Sequence, residues 1–431
     1  MSFRASLFAV FAGLAVIGPA HAQWLYGRLI PGAGLQGNGA SAAVDVSADG
    51  KTVVFSTSAT NWASGAEANT DKVMAVDLDT GLIEVVSRTT GGTVVRGESP
   101  VVSRDGRYVA FLNHAGNLEV GVPTTNWQVV RRDRVTGQLR LVSANSAGDA
   151  SNAHVNDDWV AMSGDGRYVA FEASSSNLGI ASNGWNQVFV KDMDTGQIRH
   201  ASATSTGALA PDGCSIRSNA MSDDGRYVVM ICNQPLIPGV SNGQAYVRDM
   251  STNALQLISR ATGVSGSPST AFASRAAISA NGRFVSFQSR CYGGIGGDCV
   301  NNSGIYVRDL QTHVSSRIPR ATAFELDACS VSDVSDLGTV LMGCVQNGRA
   351  QVYLHVPGAA GTPFLVSETA ASLPGNGASG ATLAVNANGL SMAFDSIASD
   401  LASGDTNNAS DVFVLVDQGV IFGIFSDSFE D

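Results

Sequence analysis

The chain has 431 residues, a formal net charge of −11 and 44% apolar residues. That apolar fraction is enough for a large buried core, so general disorder is excluded. The negative charge argues against a nucleic acid or an anionic membrane surface as the partner, because both attract basic proteins.

The first 22 residues have the pattern of a secretory signal peptide. Arg4 supplies a positive start, residues 5–17 form an apolar run, and Ala20-His21-Ala22 places small residues before a cleavage site. The run is shorter than the roughly 20 residues of a membrane-spanning helix, although an uncleaved anchor is the alternative. Cleavage before Gln23 predicts a mature protein without a membrane span, in the periplasm or secreted.

One unit recurs seven times after this segment. Each copy has an apolar strand, a Ser-x-Asp-Gly turn or a variant of it, a second strand, a long polar loop, a third strand, an Asp-x-x-Thr-Gly turn and a fourth strand. The turn glycines are 51 to 60 residues apart, at Gly50, Gly106, Gly166, Gly225, Gly282, Gly338 and Gly389. The Asp-Gly and Asn-Gly pairs predict two-residue hairpin turns with positive φ at both positions.

Four consecutive antiparallel strands form a sheet that cannot bury both of its faces alone, whereas seven such sheets packed radially can. No helical periodicity of useful length follows residue 17. The sequence therefore predicts an all-β fold, a seven-bladed β-propeller of four-stranded antiparallel blades, over residues 23–425. Repeat six is the least regular, because Leu337-Gly338 replaces Asp-Gly.

The repeat resembles that of the TolB-type (WD-like) β-propellers of exported bacterial proteins. The likeness rests on Ser-x-Asp-Gly-Arg-Tyr-Val-Ala-Phe, a Gly/Asn-rich loop and Val-Phe-Val-x-Asp-x-x-Thr-Gly, which is most complete at residues 163–196. It covers about residues 37–419 and implies the propeller fold. It implies little about function, because the family includes scaffold proteins, and related propellers occur in peptidases and as polysaccharide lyases.

Two segments can supply the fourth strand of blade seven. Val420 to Phe425 follows its third strand directly, whereas Trp24 to Ile30 would close the ring from the other end. Residues 37–41 and 375–379 share the sequence Gly-Asn-Gly-Ala-Ser, so a fourth strand should precede each copy, and we favour the N-terminal strand. The acidic residues 426–431 are predicted to be a tail without an assigned role.

The six cysteines fall in three local pairs, and export predicts that they are oxidised. The pairs are Cys214 with Cys232, Cys291 with Cys299, and Cys329 with Cys344. The first and third pairs flank the first hairpin of a repeat, where facing strands bring side chains to disulfide distance. The second pair brackets a glycine-rich loop that a bridge would restrain. We expect three disulfides, with free buried thiols as the alternative.

Two acidic residues lie in the first strands, which should line the central channel. Asp45 and Asp333 occupy a position that is small and apolar in the other five repeats. Carboxylates facing the channel could bind a cation or a basic side chain, or act as an acid/base pair. Solvated carboxylates without a ligand are the alternative.

Three tryptophans lie beside asparagine in the long loops between second and third strands, at Trp62, Trp127 and Trp185. A tryptophan on the rim offers a flat face and a polar N–H group for docking a sugar or peptide. Alternatively, each ring covers the seam between adjacent blades.

Metal sites are only weakly indicated. The histidines after the signal lie in non-equivalent places of different repeats, without a His-Glu-x-x-His motif, and we expect them to be solvated or on the rim. They are His114, His154, His200, His313 and His355.

The segment Asp405 to Asp411 has oxygen ligands at alternate positions, as calcium loops do, but lacks their glycine and final glutamate. Asx-turns explain the same residues, so we expect no cofactor, with calcium as the alternative.

The sequence favours a monomeric, non-enzymatic scaffold that binds a protein or peptide partner on its rim or at the channel mouth. No Gly-x-Ser-x-Gly nucleophile motif occurs. One alternative is a lyase or hydrolase that acts on polysaccharide, with Asp45 and Asp333 as its acids. Another is a carbohydrate-binding module that uses the tryptophan loops.

Overall fold

The computed structural model describes residues 11–17, 24–29, 36–64, 66, 70–114, 126–289, 295, 304–319, 325–358 and 362–417. These residues form strands, turns and loops, and no helix occurs among them. The strands make seven antiparallel sheets whose first strands contact one another around a central channel. The predicted seven-bladed β-propeller is therefore confirmed.

Blades one to six each consist of four consecutive strands. Blade one contains β3 (Ser41–Val46), β4 (Thr52–Thr57), β5 (Lys72–Asp77) and β6 (Ile83–Val85), and blade two contains β7 (Glu98–Val102), β8 (Tyr108–His114), β9 (Trp127–Asp133) and β10 (Leu139–Leu141). Blade three contains β11 (Val155–Met162), β12 (Tyr168–Ala173), β13 (Gln187–Asp192) and β14 (Ile198–His200), and blade four contains β15 (Cys214–Ser215), β16 (Tyr227–Cys232), β17 (Gln244–Asp249) and β18 (Leu255–Leu257). Blade five contains β19 (Ala273–Ile278), β20 (Phe284–Ser289), β21 (Gly304–Asp309) and β22 (Ser315–Arg317), and blade six contains β23 (Glu325–Val334), β24 (Val340–Gln346), β25 (Arg349–His355) and β26 (Phe364–Leu365).

Blade seven combines strands that are far apart in sequence. Its strands are β27 (Ser379–Val385), β28 (Ser391–Ser396), β29 (Asp411–Asp417), β2 (Trp24–Leu29) and β1 (Phe11–Ile17). β2 pairs antiparallel with β29, from Trp24 opposite Asp417 to Arg28 opposite Phe413. The N-terminal strand closes the ring, as we favoured, and Val420 to Phe425 lies outside the described residues.

The outermost strand of blade seven lies within the predicted signal peptide. β1 pairs antiparallel with β2, with Ile17 opposite Trp24. Cleavage before Gln23 would leave this blade with four strands, like the other six, and the cleavage itself stays a prediction. Among the described residues, no helix is both long and apolar enough to cross a membrane.

The core is built mainly from the second and third strands of the blades. The second strands contribute fully buried phenylalanines, at Phe55, Phe111, Phe171, Phe287 and Phe394. Several stack on a third-strand aromatic ring, with centroid distances of 5.5 Å for Phe171 and Phe189 and 5.4 Å for Phe394 and Phe413. These rings bury a large apolar area in a repeated geometry.

The first hairpin turn differs from the prediction. In blade one φ is positive at Gly50 (76°) but not at Asp49. The Asp49 carboxylate instead accepts hydrogen bonds from the Ser47 hydroxyl and the Lys51 amide, at 2.5 and 3.0 Å. The Ser47 amide donates to the Thr52 carbonyl oxygen at 2.9 Å, which closes a four-residue loop. The prediction of a two-residue turn was wrong because the side chain of Asp49 caps the longer loop.

The turn glycines also pack against the preceding blade. A Cβ atom added to Gly225 would lie 2.2 Å from the ring of Tyr168, and φ at Gly225 is 68°. Only glycine fits both this close approach and this backbone conformation. The repeated glycine therefore serves the packing between blades as well as the turn.

Two of the predicted disulfides are present. They join Cys214 to Cys232 and Cys329 to Cys344, across 18 and 15 residues. Each bridges the first and second strands of its blade, as predicted from the hairpins. Cys291 and Cys299 lie outside the described residues. The two bridges fit a protein that folds in an oxidising compartment.

Candidate functional site: the central channel and its mouth

A narrow cavity of about 70 Å³, open to solvent, lies where the seven blades meet. Residues from all seven blades line it, mainly from the ends of first strands and from the turns that follow them. The strand residues are largely apolar, such as Val101, Met221 and Ile278. This volume is well below the range of about 300–1,000 Å³ that small-molecule pockets occupy.

Asp45 lies in the wall of this cavity and is almost completely buried, with 7% exposure. One carboxylate oxygen accepts a hydrogen bond from the Val46 amide, and the other accepts one from the Val102 amide, both at 2.9 Å. Val102 belongs to the first strand of blade two. The carboxylate therefore joins blade one to blade two.

Asp333 makes the same kind of contact between blades six and seven. It is 5% exposed, and its two oxygens accept hydrogen bonds from the amides of Val334 and Val385, both at 2.7 Å. Val385 lies in the first strand of blade seven, so this carboxylate joins blades six and seven. The structure brings the two predicted site residues into one cavity, each with both oxygens engaged.

Burial changes the acidity of both groups. It raises the pKa of Asp45 to about 7, although the two backbone amides act in the opposite direction. Burial also raises the pKa of Asp333 well above its usual value, and the negative charge of Asp45 raises it further. At neutral pH Asp45 is therefore close to half protonated.

The mouth of the cavity lies at the Ser-x-Asp-Gly turns and their variants, and the second turn residue lines it in five of the seven repeats. Their backbones form a belt across blade junctions, since the Arg104 amide donates to Gly164, the Gly164 amide to Asp223, and the Asp223 amide to Ala280, all at 2.8 Å. Sequence reasoning missed this column. A comparison of the variable turn residue across the repeats would have found it, because Arg104, Asp223 and Asp336 are its charged members.

Charged side chains meet at this mouth. The Arg104 guanidinium donates to the Asp223 carboxylate at 2.7 Å, with side chains that are 54% and 23% exposed. Burial raises the pKa of Asp223, although Arg104 lowers it. Burial and the charge of Asp223 raise the pKa of Asp336, which accepts a hydrogen bond from the Asn281 amide at 2.7 Å. Arg104 therefore pairs directly with Asp223, both of these charges act on Asp336, and a further positive charge near the two carboxylates would be favoured.

The three predicted tryptophans lie in different environments. Trp62 is 3% exposed, and its ring meets Phe55 edge-on at 4.8 Å between centroids. Its loop folds back over the core, so this ring is not presented to solvent as docking requires. Trp127 is half-buried beneath the Arg96 guanidinium, 4.9 Å from its ring, whereas Trp185 is 52% exposed.

The histidines are spread over the molecule. The His200 imidazole is hydrogen-bonded to the Ala181 carbonyl oxygen at 2.8 Å, and His154 accepts from the Trp127 amide at 3.1 Å. His355 lies at the junction of blades five and six. Within the described ranges, no three His, Cys, Asp or Glu side chains are grouped as metal ligands would be.

The segment with calcium-like spacing contacts an arginine of the closing strand. The Arg28 guanidinium lies 3.5 Å from Asp405 and 3.2 Å from Asp411, with all three side chains at most 4% exposed. The Gln36 amide group donates to the same two carboxylates at 2.8 and 2.9 Å. Calcium binding stays a prediction, and the contacts shown here join β2 to blade seven.

No protein-family model matches the chain, and no curated protein matches it. Among solved structures, oligogalacturonate lyase from Vibrio parahaemolyticus is similar with a TM-score of 0.57 and 10% identity, over 94% of this chain and 97% of that one. The β-propeller domain of the Trilobed protease from Pyrococcus furiosus is similar with a TM-score of 0.51 and 11% identity, over 83% and 89%. TolB from Acinetobacter baumannii matches with a TM-score of 0.40 and 15% identity, over 79% and 75%.

At these identities the likeness concerns the fold alone. The lyase and the protease domain, with TM-scores above 0.5, both align over most of their own length. Their functions differ, as is usual for proteins that share a propeller. The comparisons therefore agree with the structure that the chain is a seven-bladed β-propeller.

Proposed function

We propose that this protein is an exported, non-enzymatic scaffold whose channel mouth binds a segment of a protein or peptide partner through a basic side chain. The observation that carries the proposal is the shared charge at the mouth, where Arg104 neutralises only part of the field of Asp223 and Asp336. A lysine or arginine of a partner supplies the second positive charge. The rigid ring of blades holds the mouth in place.

The buried carboxylates favour binding over catalysis. A general acid or base must come within hydrogen-bond reach of its substrate. Each oxygen of Asp45 and Asp333 already accepts a backbone amide. Releasing them would leave buried amides without acceptors, which costs about 1–3 kcal/mol for each group. Both residues therefore serve the junctions between blades better than acid/base chemistry.

The mouth is open to a partner. The Arg104 side chain is 54% exposed and pairs with a carboxylate that is itself 23% exposed. Such exposed ion pairs contribute only about 0–1 kcal/mol. A basic residue of a partner can therefore compete with Arg104 for Asp223 at little cost, and salt should weaken the complex.

The test is capture of partners from envelope extract with the chain from Gln23 onward as bait. We expect Asp223→Asn combined with Asp336→Asn to lose most of the captured protein, and rising salt to do the same. Asp212→Asn is the matched control, because Asp212 is half-buried on a loop and does not line the cavity. Equal capture by the native and the double variant would exclude the mouth as the binding site.

A polysaccharide-acting enzyme is the second candidate, since a solved structure of similar fold is named as an oligogalacturonate lyase. Incubation with oligogalacturonate and with cell-wall polysaccharide tests it. If the native protein forms product and the variants Asp45→Asn and Asp333→Asn do not, an enzymatic function replaces the scaffold proposal. For the carbohydrate-binding alternative, a glycan array with Trp127→Ala and Trp185→Ala is decisive, because Trp185 offers an exposed ring.

A further inference from the structure

A second cavity lies outside the channel, between blades five and six. It has a volume of about 280 Å³, is open to solvent, and its walls are mainly apolar. Phe284, Val307, Val314 and Ile318 line it from blade five, and His355 and Pro357 line it from blade six. We call this cavity the five–six cleft.

The first cause of the cleft is a short side chain on the outer strand of blade five. Ser316 lies opposite Val307 in blade five. The corresponding residue of blade three is Arg199, which lies opposite Val190. The Arg199 guanidinium crosses to blade four and donates to the carbonyl oxygen of Met250 at 2.5 Å. The serine hydroxyl is too short to cross the equivalent junction, which stays open.

The second cause is a residue that turns outward after the third strand of blade six. Blades three and four place Met193 and Met250 there, with 0% and 6% exposure. Their amides donate to the carbonyl oxygens of Arg167 and Arg226 in the first turns of their blades. Blade six has Val356 at this position, and it is 37% exposed. No large side chain of blade six therefore fills the junction.

The third cause is the loss of an ion pair. In blade five Arg283 in the first turn binds Asp309 at the end of the third strand, at 2.7 Å. Blade six has Thr339 and His355 at these two positions. In blade six no arginine–aspartate pair occupies these two positions, and the His355 imidazole and Pro357 line the wall of the cleft instead.

The polar side chains that line the cleft are Asp309, Thr312, Ser316, Arg317 and His355. Arg317 and His355 lie in its wall, and the carboxylate of Asp309 is held by Arg283. Three exposed apolar side chains lie near its edges, with exposures of 41% for Val314, 64% for Leu337 and 37% for Val356. An apolar surface that is concave and has a few donors is typical of sites for small molecules.

We propose that the five–six cleft binds a small molecule with an aromatic or branched apolar body and one anionic group. The apolar body packs on Phe284 and Val307, and the anionic group accepts hydrogen bonds from the donors at Arg317 and His355. This site is separate from the channel mouth, so it stands or falls independently of the scaffold proposal.

The probe is 8-anilinonaphthalene-1-sulfonate, which combines aromatic rings with one negative charge. We expect saturable binding of one probe to the native protein, read from its fluorescence. Ser316→Arg should weaken binding about tenfold or more by filling the cleft, as Arg199 fills the junction of blade three. Gln256→Arg is the matched control, since Gln256 has the same register in blade four, and we expect native affinity.

A second variant and a second probe complete the test. Val356→Met restores the side chain of blades three and four and should also weaken binding, with native thermal stability as the control for folding. The uncharged N-phenyl-1-naphthylamine should bind about tenfold more weakly than the sulfonate. Absence of saturable binding, or equal affinity in the native protein, Ser316→Arg and Val356→Met, would overturn the site. Equal affinity for both probes would overturn the anionic group.

Discussion

The carboxyl groups of Asp45 and Asp333 hold neighbouring blades together from inside the protein. An ionised carboxylate loses its hydration at such a site, and two amide donors only partly replace it. Burial therefore raises the pKa of Asp45 from 3.8 to about 7. The stability that this group contributes is fully present below pH 3.8 and is lost as the pH rises through about 7.

We predict that Asp45→Asn makes stability less dependent on pH. The free energy of unfolding of the native protein should fall by on the order of 3 kcal/mol between about pH 4 and pH 8 because of Asp45. The variant lacks the titrating group and should show a smaller fall. Urea denaturation at both pH values measures this, with Asp212→Asn, which lies outside the cavity, as control. Parallel pH profiles for the native protein and Asp45→Asn would contradict it.

The sequence indicated some of these residues and hid others. Asp45 and Asp333 could be found because two acids interrupt a column of small apolar residues. Their partners could not, because the amides of Val102 and Val385 come from adjacent blades. Trp62 lies beside an asparagine in sequence, as the exposed Trp185 does. Only the path of its loop over Phe55 buries the Trp62 ring.

At the scale of elements, the contact of β2 with β29 depends on one buried arginine. Arg28 lies between Asp405 and Asp411, with side-chain exposures of 2% and 4%. The arginines of the first turns are different. Arg226 binds Asp249 at 2.7 Å but is 43% exposed. Solvent screens the exposed pair far more than the buried one.

We predict that Arg28→Ala destabilises the protein by about 3–5 kcal/mol, because two buried carboxylates lose their cation. Arg226→Ala removes an arginine that is 43% exposed, and its partner Asp249 keeps a hydrogen bond from the Ser251 hydroxyl, so this variant should lose less stability than Arg28→Ala. Chemical denaturation of the two variants gives the comparison. Similar losses for both would show that Arg28 does not hold the closing strand.

The disulfides allow a further prediction at this scale. Replacing both Cys329 and Cys344 by alanine should lower the free energy of unfolding by about 2–4 kcal/mol, because the bridge closes a loop in the unfolded chain. Thermal unfolding with and without a reducing agent measures the effect. The variant should be less sensitive to the reducing agent than the native protein, and equal sensitivity of the two would contradict the prediction.

The strands were predictable because the repeat presents the same apolar segments seven times. The turn type was not, because the cap by Asp49 depends on hydroxyl and amide positions that the sequence alone does not contain. The irregularity of repeat six was visible at Leu337-Gly338. Its consequence, an open junction with blade five, also needs Ser316 and Val356 and becomes visible only when the blades are packed.

At the scale of the whole molecule, the ring depends on a strand far from its partner in sequence. We predict that removal of residues 1–35, which contain β2, abolishes cooperative unfolding, because blade seven loses its fourth strand. Removal of residues 418–431 deletes the rival Val420 to Phe425 segment and should leave cooperative unfolding intact. Calorimetry of both truncated chains measures this. The reverse result would assign closure to the C-terminal segment.

The pairing of Trp24–Leu29 with Asp411–Asp417 also determines when the protein can finish folding. A ribosome makes the second of these strands long after the first, so the ring stays open until Asp417 has been made. Contacts between such distant segments form slowly. Blade seven therefore completes the ring only after the other six blades have been synthesised, and the nascent protein is an open row of blades until then.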